Sequence, residues 1–106
     1  MIDVRTKFIA VSIYQVEPEN FAAVTQAATQ TIERDVVTLA GFFEGMVMAD
    51  EARTRVLIVT QWSSKHAWAQ AFWEPRIGKA VAEFVRDATT YEVQTFEPLT
   101  IVRTAE

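Results

Sequence analysis

Two periods of hydrophobic residues alternate along this chain, one typical of strands and the other of helices. Residues 7–16 are rich in β-branched and aromatic side chains and stop before Glu17 and Pro18, which predicts a first strand. Both alternating faces of this strand are mainly apolar, with Phe8 on one and Ile9 on the other. A strand with one face in water would alternate apolar and polar residues, so we expect both faces of its sheet to be covered.

A helix is predicted after this strand. Pro18 and the acidic residues beside it suit a first helical turn, where the helix dipole favours negative charge. Apolar residues then recur at spacings of three and four and make one stripe: Phe21, Val24, Ala28, Ile32 and Val36. Gly41 ends this segment, because glycine adopts backbone conformations that other residues rarely adopt.

The next two strands form a predicted hairpin. Residues 42–49 and 54–62 are both rich in strand-forming side chains, and the short polar segment 50–53 connects them. Ser63 or Ser64 can then cap a helix, because a serine oxygen accepts a hydrogen bond from an N–H group of the first helical turn.

A break divides the second helical region. Pro75 breaks or kinks the helix, because proline has no N–H group to donate. A further helical piece passes through Ile77, Val81 and Phe84. A last strand covers residues 91–96, and Pro98 separates it from a short extended tail.

The predicted order of elements is therefore β-α-β-β-α-β in a single domain, residues 1–106. Two apolar strands that end in an aromatic residue, 9–14 and 57–62, each lead into a helix, which is a faint internal repeat. Two such halves predict an α+β ferredoxin-like sandwich, with an antiparallel four-stranded sheet and its helices on one face. The other face is also apolar, so the sequence predicts a homodimer in which the partner's sheet covers it.

Composition narrows the possible functions. Hydrophobic residues make up 50% of the 106 residues and charged residues 23%, as in a packed globular protein. The net charge is −4 and no run of Lys or Arg occurs, which argues against nucleic acid or an anionic membrane as a partner. With no cysteine and a single histidine, thiolate sites are excluded and a metal site is not expected. No signal peptide and no apolar run of membrane-spanning length occurs, so a cytoplasmic protein is expected.

Two short motifs stand at the boundaries of the predicted elements. Ala-Gly-Phe at residues 40–42 leads into the second strand, and Trp-Ser-Ser-Lys-His-Ala at residues 62–67 follows the third. They resemble the antibiotic biosynthesis monooxygenase domain family, which usually shows Pro-Gly-Phe at the first place and Trp-x-Ser-x-x-Ala at the second. The second motif matches fully, and the first has Ala40 in place of Pro. Order and spacing extend the resemblance over residues 8–96.

The resemblance implies a dimeric α+β barrel with a pocket between the sheet and the helices of each subunit. Some relatives oxygenate polycyclic phenols or hydroquinones with molecular oxygen and no metal or flavin. Others degrade haem, isomerise small molecules or have no assigned reaction, so the fold alone does not fix the function. Haem degradation is disfavoured, because Ser12 stands where those relatives carry Asn, and Ala82 and Glu83 occupy the helix that should supply their iron-ligating His. The third strand also lacks the Asn that cofactor-free oxygenases of the family often carry.

Three residues are candidates for chemistry in such a pocket. Trp62 stands where the family's pocket Trp does and offers an indole N–H donor, and packing between sheet and helices is the alternative. His66 is the only histidine, and imidazole changes its charge near neutral pH, so it is the candidate base; an exposed surface histidine is the alternative. Tyr91 opens the last strand and either donates to a substrate oxygen or packs at the strand end.

Further residues are candidates for contact with a ligand. They are Phe8, Ser12, Tyr14, Met46, Thr60, Trp68, Phe72 and Trp73. Ser12 is a lone polar group in an apolar strand, so it must be hydrogen-bonded or face a cavity. Trp68 and Phe72 lie one helical turn apart, and such stripes also fill ordinary cores, as methionines such as Met46 do.

The leading hypothesis is a cofactor-independent monooxygenase that acts with molecular oxygen on a small aromatic substrate, such as a hydroquinone or an anthrone. No cofactor is expected, and the expected partners are a small aromatic ligand and a second copy of the chain. A non-catalytic dimeric module that binds a small molecule is one alternative. A cofactor-free isomerase or cyclase that uses the same pocket is another.

Overall fold

The structure is a computed structural model that describes residues 3–104. Its strands are β1 (Phe8–Gln15), β2 (Phe42–Ala49), β3 (Arg55–Trp62) and β4 (Thr90–Phe96). Its helices are α1 (Pro18–Arg34), α2 (Lys65–Ala71) and α3 (Pro75–Asp87), and a 3₁₀ turn (Val36–Thr38) follows α1. The predicted α+β class and order of elements are confirmed, with the second helical region divided in two as Pro75 required.

The four strands form one antiparallel sheet in the order β2-β3-β1-β4. β1 pairs with β3 so that Ala10 lies opposite Thr60, and it pairs with β4 so that Tyr14 lies opposite Tyr91. This is the predicted ferredoxin-like sheet, with the first and third strands at its centre.

The helices cover the sheet face that carries Phe8, Ala10, Ser12 and Tyr14. The buried residues on this side form two clusters, one around Trp62 and one around Tyr14. The first cluster comprises Phe8, Ala10, Val36, Trp62, Ala71 and Ile77, and the second Tyr14, Val16, Val24, Ala28, Val56 and Phe84. The core is thus divided, and a cavity lies between its two parts.

The opposite face of the sheet is mainly apolar and is only partly covered within the described chain. Ile9, Val11 and Ile13 of β1 are only partly buried there. Met46 on β2 is 46% exposed, and Phe96 on β4 is 49% exposed. This chain therefore covers one face of its central strand, and the covering of the second face by a partner stays a prediction.

Local chemistry explains three boundaries. Gly41 has a φ of 83°, and a Cβ there would lie 2.6 Å from both Ala67 Cβ and Ser63 Oγ, so only glycine fits. The Ser64 hydroxyl accepts a hydrogen bond from the N–H of Ala67 at 3.0 Å, so Ser64 is the cap of α2. α1 ends at Arg34, which leaves Val36 in the 3₁₀ turn, where it is still buried.

No helix in residues 3–104 is long and apolar enough to cross a membrane.

Candidate functional site

A cavity of about 70 Å³ lies between the sheet and the helices. The sheet supplies its floor through Ser12, Tyr14, Ile58, Thr60 and Trp62. The helices supply its walls, which are apolar except for Thr31. None of the lining residues in the described chain is Asp, Glu, Lys, Arg or His. The cavity is therefore an uncharged apolar space with hydroxyl groups on its floor.

The aromatic wall of the cavity comes from α2 and the residue after it. The Trp68 ring lies against Phe8, with 5.2 Å between ring centroids, and meets Phe72 edge to face at 5.2 Å. Phe72 lines the cavity yet is 42% exposed, because it follows the last residue of α2. The cavity therefore opens to solvent beside Phe72. Pockets for drug-sized ligands are usually about 300–1,000 Å³, so the cavity must enlarge to hold a ligand with several rings.

Trp62 is one of the two buried aromatic residues of the floor, with Tyr14. Only 2% of Trp62 is exposed, and its ring meets Phe42 edge to face at 5.3 Å. Its indole Nε1–H donates to the Thr60 hydroxyl at 2.8 Å. The donor that the sequence assigned to a ligand is thus engaged by a neighbour two residues away on the same strand face.

Tyr14 forms the other end of the floor. It is 1% exposed, and its ring stacks on Tyr91 and meets Phe84 edge to face at 5.7 Å. Its hydroxyl interacts with the side chains of Ser12 and Tyr91, and burial raises the pKa of this hydroxyl well above its ordinary value. Tyr14 is consequently a neutral hydrogen-bonding group at neutral pH.

Six of the predicted residues line the cavity: Ser12, Tyr14, Thr60, Trp62, Trp68 and Phe72. The first four come together because β1 and β3 are adjacent and in register, so side chains on the same face of the two strands are neighbours, and α2 and the residue after it supply the other two. Phe8 lies one layer behind the cavity, against Trp68.

The other predicted residues lie elsewhere. His66 is exposed on α2, one position before the half-buried Ala67, and is outside the lining. Tyr91 contacts the cavity only through Tyr14. Met46 points away from the cavity because it pairs with Val59, whose side of β3 is opposite that of Thr60. Trp73, in the break between α2 and α3, is 79% exposed.

Sequence reasoning missed the lining residues of α1 and α3. They include Thr31, Ile32, Ile77, Val81 and Phe84. All but Thr31 belong to the apolar stripes that predicted these helices, and a stripe that lines a cavity has the same composition as one that fills a core. Among residues 3–104, no group of three His, Asp or Glu side chains is placed to hold a metal ion.

Comparisons with known proteins agree on the fold. No family model and no curated protein matches this chain in sequence. The structure is similar to that of a Streptomyces coelicolor monooxygenase from the gene ActVA-Orf6, determined with nanaomycin D, with a TM-score of 0.86, 20% identity, and coverage of 97% of this chain and 96% of that one. A Deinococcus radiodurans protein provisionally named an antibiotic biosynthesis monooxygenase gives a TM-score of 0.81 at 15% identity, covering 93% and 99%.

A third similar structure carries no activity in its name. Rv0793 from Mycobacterium tuberculosis gives a TM-score of 0.81 at 12% identity, covering 92% of this chain and all 100% of that one. These likenesses extend over almost the whole chain, as the sequence resemblance predicted. The chain therefore has the fold of the antibiotic biosynthesis monooxygenase domains.

Proposed function

We propose that this protein is a cofactor-independent monooxygenase that acts with molecular oxygen on a small aromatic substrate of the hydroquinone or anthrone type. The observation that carries the proposal is the cavity itself, whose apolar walls suit a planar ring system and whose floor bears the hydroxyls of Ser12, Tyr14 and Thr60. The Streptomyces coelicolor structure with nanaomycin D supports a small-molecule ligand for this fold.

The substrate of such an enzyme supplies the electrons. For an anthrone, loss of a ring C–H proton gives a carbanion conjugated with the carbonyl, whose negative charge lies largely on oxygen. This anion gives an electron to O₂, and recombination and protonation form a C–O–O–H bond. Loss of water then leaves a quinone, so one oxygen atom enters the substrate and the other becomes water. A dry cavity with a fixed hydroxyl donor orients the substrate and stabilises the oxyanion.

We assign the proton acceptor in this proposal differently from the sequence hypothesis. His66 is the sequence's candidate base, but it is exposed on α2 and outside the lining. We therefore assign the departing proton to water at the opening beside Phe72, which is partly exposed. Tyr91 contacts Tyr14 rather than the cavity, and in this mechanism it supports Tyr14 without touching the substrate.

The functional unit in this proposal is a homodimer. The face of the sheet that carries Ile9, Val11 and Ile13 is mainly apolar on β1, β2 and β3, and these three residues stay partly exposed in the described chain. Exposed Met46 and Phe96 extend this face to both edges of the sheet. The apolar part of this face is matched best by the same face of a second copy, related by a two-fold axis.

Oxygen uptake by the purified, metal-free protein tests the activity. A panel of anthrones and hydroquinones is supplied to the wild type, to Thr31→Leu, which fills the cavity from α1, and to Thr29→Leu. The last is a matched control, because the Thr29 and Thr31 hydroxyls both donate to the carbonyl four residues earlier at 2.9 Å, and only Thr31 lines the cavity. Uptake above the buffer rate that falls in Thr31→Leu alone supports the proposal. No uptake with any substrate refutes it.

One observation favours a second function, a non-catalytic binding module. Among the described residues the cavity has no ionisable side chain except a tyrosine with a raised pKa, and binding alone needs none. A binder would give saturable quenching of tryptophan fluorescence without oxygen uptake or product. An isomerase or cyclase would instead convert its substrate equally well without oxygen.

A further inference from the structure

The Thr60 hydroxyl accepts a hydrogen bond from Trp62, and its own proton is free to be donated. The indole Nε1–H of Trp62 lies 2.8 Å from Thr60 Oγ1, in the buried floor of the cavity. An indole N–H can only donate, so Thr60 Oγ1 is the acceptor in this bond. The Thr60 proton must then be directed elsewhere. Within residues 3–104, the Thr60 hydroxyl donates no hydrogen bond to a side chain or a carbonyl oxygen.

The other hydroxyls of the cavity are engaged. Thr31 Oγ1 donates to the carbonyl oxygen of Ala27 at 2.9 Å, within its own helix. The Tyr14 hydroxyl interacts with Ser12 on one side and Tyr91 on the other. Thr60 is therefore the floor residue whose proton remains available to a ligand.

The sheet leaves space above Thr60. In the register of the strands, Ala10 on β1 and Gly45 on β2 lie on either side of it. Neither residue has a side-chain atom beyond Cβ, so the two residues that pair with Thr60 leave its hydroxyl uncovered. Thr60 is only 9% exposed, which means that a ligand oxygen placed there is shielded from water.

We propose that Thr60 is a specificity-determining hydrogen-bond donor, oriented by Trp62, and that the ligand presents a ketone or phenolic oxygen to it. The choice of ligand class rests on the proposed function. Trp62 is a positioning residue, because its N–H occupies the Thr60 oxygen and so fixes the direction of the Thr60 proton. A ligand without an acceptor would leave a desolvated donor unpaired, and such sites discriminate strongly against the analogue that lacks the polar group.

A pair of probes that share one skeleton tests this proposal. Anthrone carries a ketone oxygen, and 9,10-dihydroanthracene is the corresponding hydrocarbon. Dissociation constants are measured without oxygen, so that turnover plays no part, for the wild type, Thr60→Val, Thr60→Ser and Trp62→Phe. Valine keeps the shape of threonine without its hydroxyl, serine keeps the hydroxyl, and phenylalanine keeps an aromatic ring without the N–H donor.

The expected result is a loss of discrimination between the two probes in Thr60→Val and a smaller loss in Trp62→Phe. Thr60→Val should weaken anthrone binding about 10-fold, the scale of one hydrogen bond, and should not weaken dihydroanthracene binding. Thr60→Ser should retain the preference for anthrone, and Trp62→Phe should lose part of it. Equal weakening of both probes in Thr60→Val, or no change in either, would overturn the assignment.

The outcomes separate this inference from the proposed function. Binding of anthrone that depends on the Thr60 hydroxyl, in a protein with no oxygen uptake, supports the inference and refutes the monooxygenase. If the wild type binds neither probe, the ligand class is wrong and the inference falls with it. Oxygen uptake with hydroquinones would still decide the proposed function in that case.

Discussion

The rings of Tyr14 and Tyr91 stack across two adjacent strands, with 4.9 Å between their centroids and 26° between their planes. They are directly opposite each other in the register of β1 and β4. Tyr14 is 1% exposed and Tyr91 37%, so the pair connects the buried floor of the cavity with the surface. Burial is the main cause that raises the pKa of both hydroxyls, and the interaction with Tyr14 partly offsets the rise at Tyr91.

These are the only two tyrosines of the chain, so their ionisation can be followed directly by ultraviolet absorption. We expect Tyr91 to ionise first, above the ordinary value of about 10, and Tyr14 only as the protein unfolds in alkali. In Tyr91→Phe, the remaining tyrosine should show no ionisation in the folded state near pH 10. Ionisation there would contradict the burial of Tyr14.

The same pair predicts how stability depends on pH. A pKa that is higher in the folded than in the unfolded state gives stability that is complete below the unfolded value of about 10. That stability is lost as the pH rises through the folded pKa, since ionisation then favours the unfolded chain. Tyr14→Phe should therefore flatten the alkaline limb of the unfolding free energy, measured in urea at a series of pH values. An unchanged slope in this variant would contradict the assignment.

The sequence predicts the elements of this fold better than it predicts the contacts between side chains in the cavity. The strands follow from the β-branched residues of β1 and β3, and the cap and break of the second helical region follow from Ser64 and Pro75, because these are local preferences. The bond from Trp62 to Thr60 depends on the orientations of two side chains on one strand face. No local pattern encodes that orientation.

The sequence also could not predict whether His66 faces the cavity or solvent. The sequence places it in a helix, but one turn of that helix presents both Ala67 to the core and His66 to solvent. The composition of the motif does not distinguish the two faces, and packing against the sheet decides between them. Met46 lies outside the cavity for a similar reason, because the pairing of β2 with β3 decides which alternating set faces the helices.

Gly45→Ala should reduce ligand binding more than stability. A Cβ at Gly45 would lie 3.0 Å from Ile32 Cγ2 and 3.2 Å from the Phe42 ring. Ile32 also lines the cavity, so it can give way into empty space and make the cavity smaller. We expect the free energy of unfolding to change by less than about 1 kcal/mol and the dissociation constant of anthrone to rise several-fold.

Gly78→Ala is the matched control for this change. Gly78 lies in α3, and the nearest atom to a new Cβ, the Phe72 carbonyl oxygen, is 3.7 Å away, an ordinary contact. Alanine should stabilise the helix by about 1 kcal/mol and leave binding unchanged. If both variants bind equally well, the space around Ile32 does not limit the ligand.

The Asp50 carboxylate organises the turn between β2 and β3. It accepts hydrogen bonds from the N–H groups of Thr54 at 2.9 Å and Arg55 at 3.0 Å, and from the Thr54 hydroxyl at 2.9 Å. These bonds, led by that of the Arg55 N–H, lower the pKa of Asp50 to about 2. A pKa that is lower in the folded state gives stability that is present above the unfolded value of 3.8 and is lost as the pH falls towards 2.

Asp50→Asn should therefore destabilise the protein at neutral pH and remove part of its acid sensitivity between about pH 4 and pH 2. The measurement is thermal unfolding across this range, followed by circular dichroism. Glu51→Gln is the control, since it removes one negative charge from the adjacent exposed residue. Equal acid sensitivity of Asp50→Asn and the wild type would show that the turn does not depend on the ionised carboxylate.

Val11→Lys should convert the proposed dimer to a monomer. Val11 is central on the open face of the sheet, where it lies opposite Val59 on one side and Gln94 on the other. An ammonium group in a dry sheet-to-sheet interface costs several kcal/mol, so we expect the dimer to weaken by on the order of 10³-fold or more. Sedimentation equilibrium over a range of protein concentrations measures this change.

Ala22→Lys adds the same charge at an exposed position of α1 and should leave the assembly unchanged. If the interface forms through the open face, the stability of the wild type should rise with protein concentration, because association favours the folded chain, and that of Val11→Lys should not. A wild type that stays monomeric at all concentrations would contradict the dimer. A Val11→Lys variant that still dimerises would place the interface on another surface.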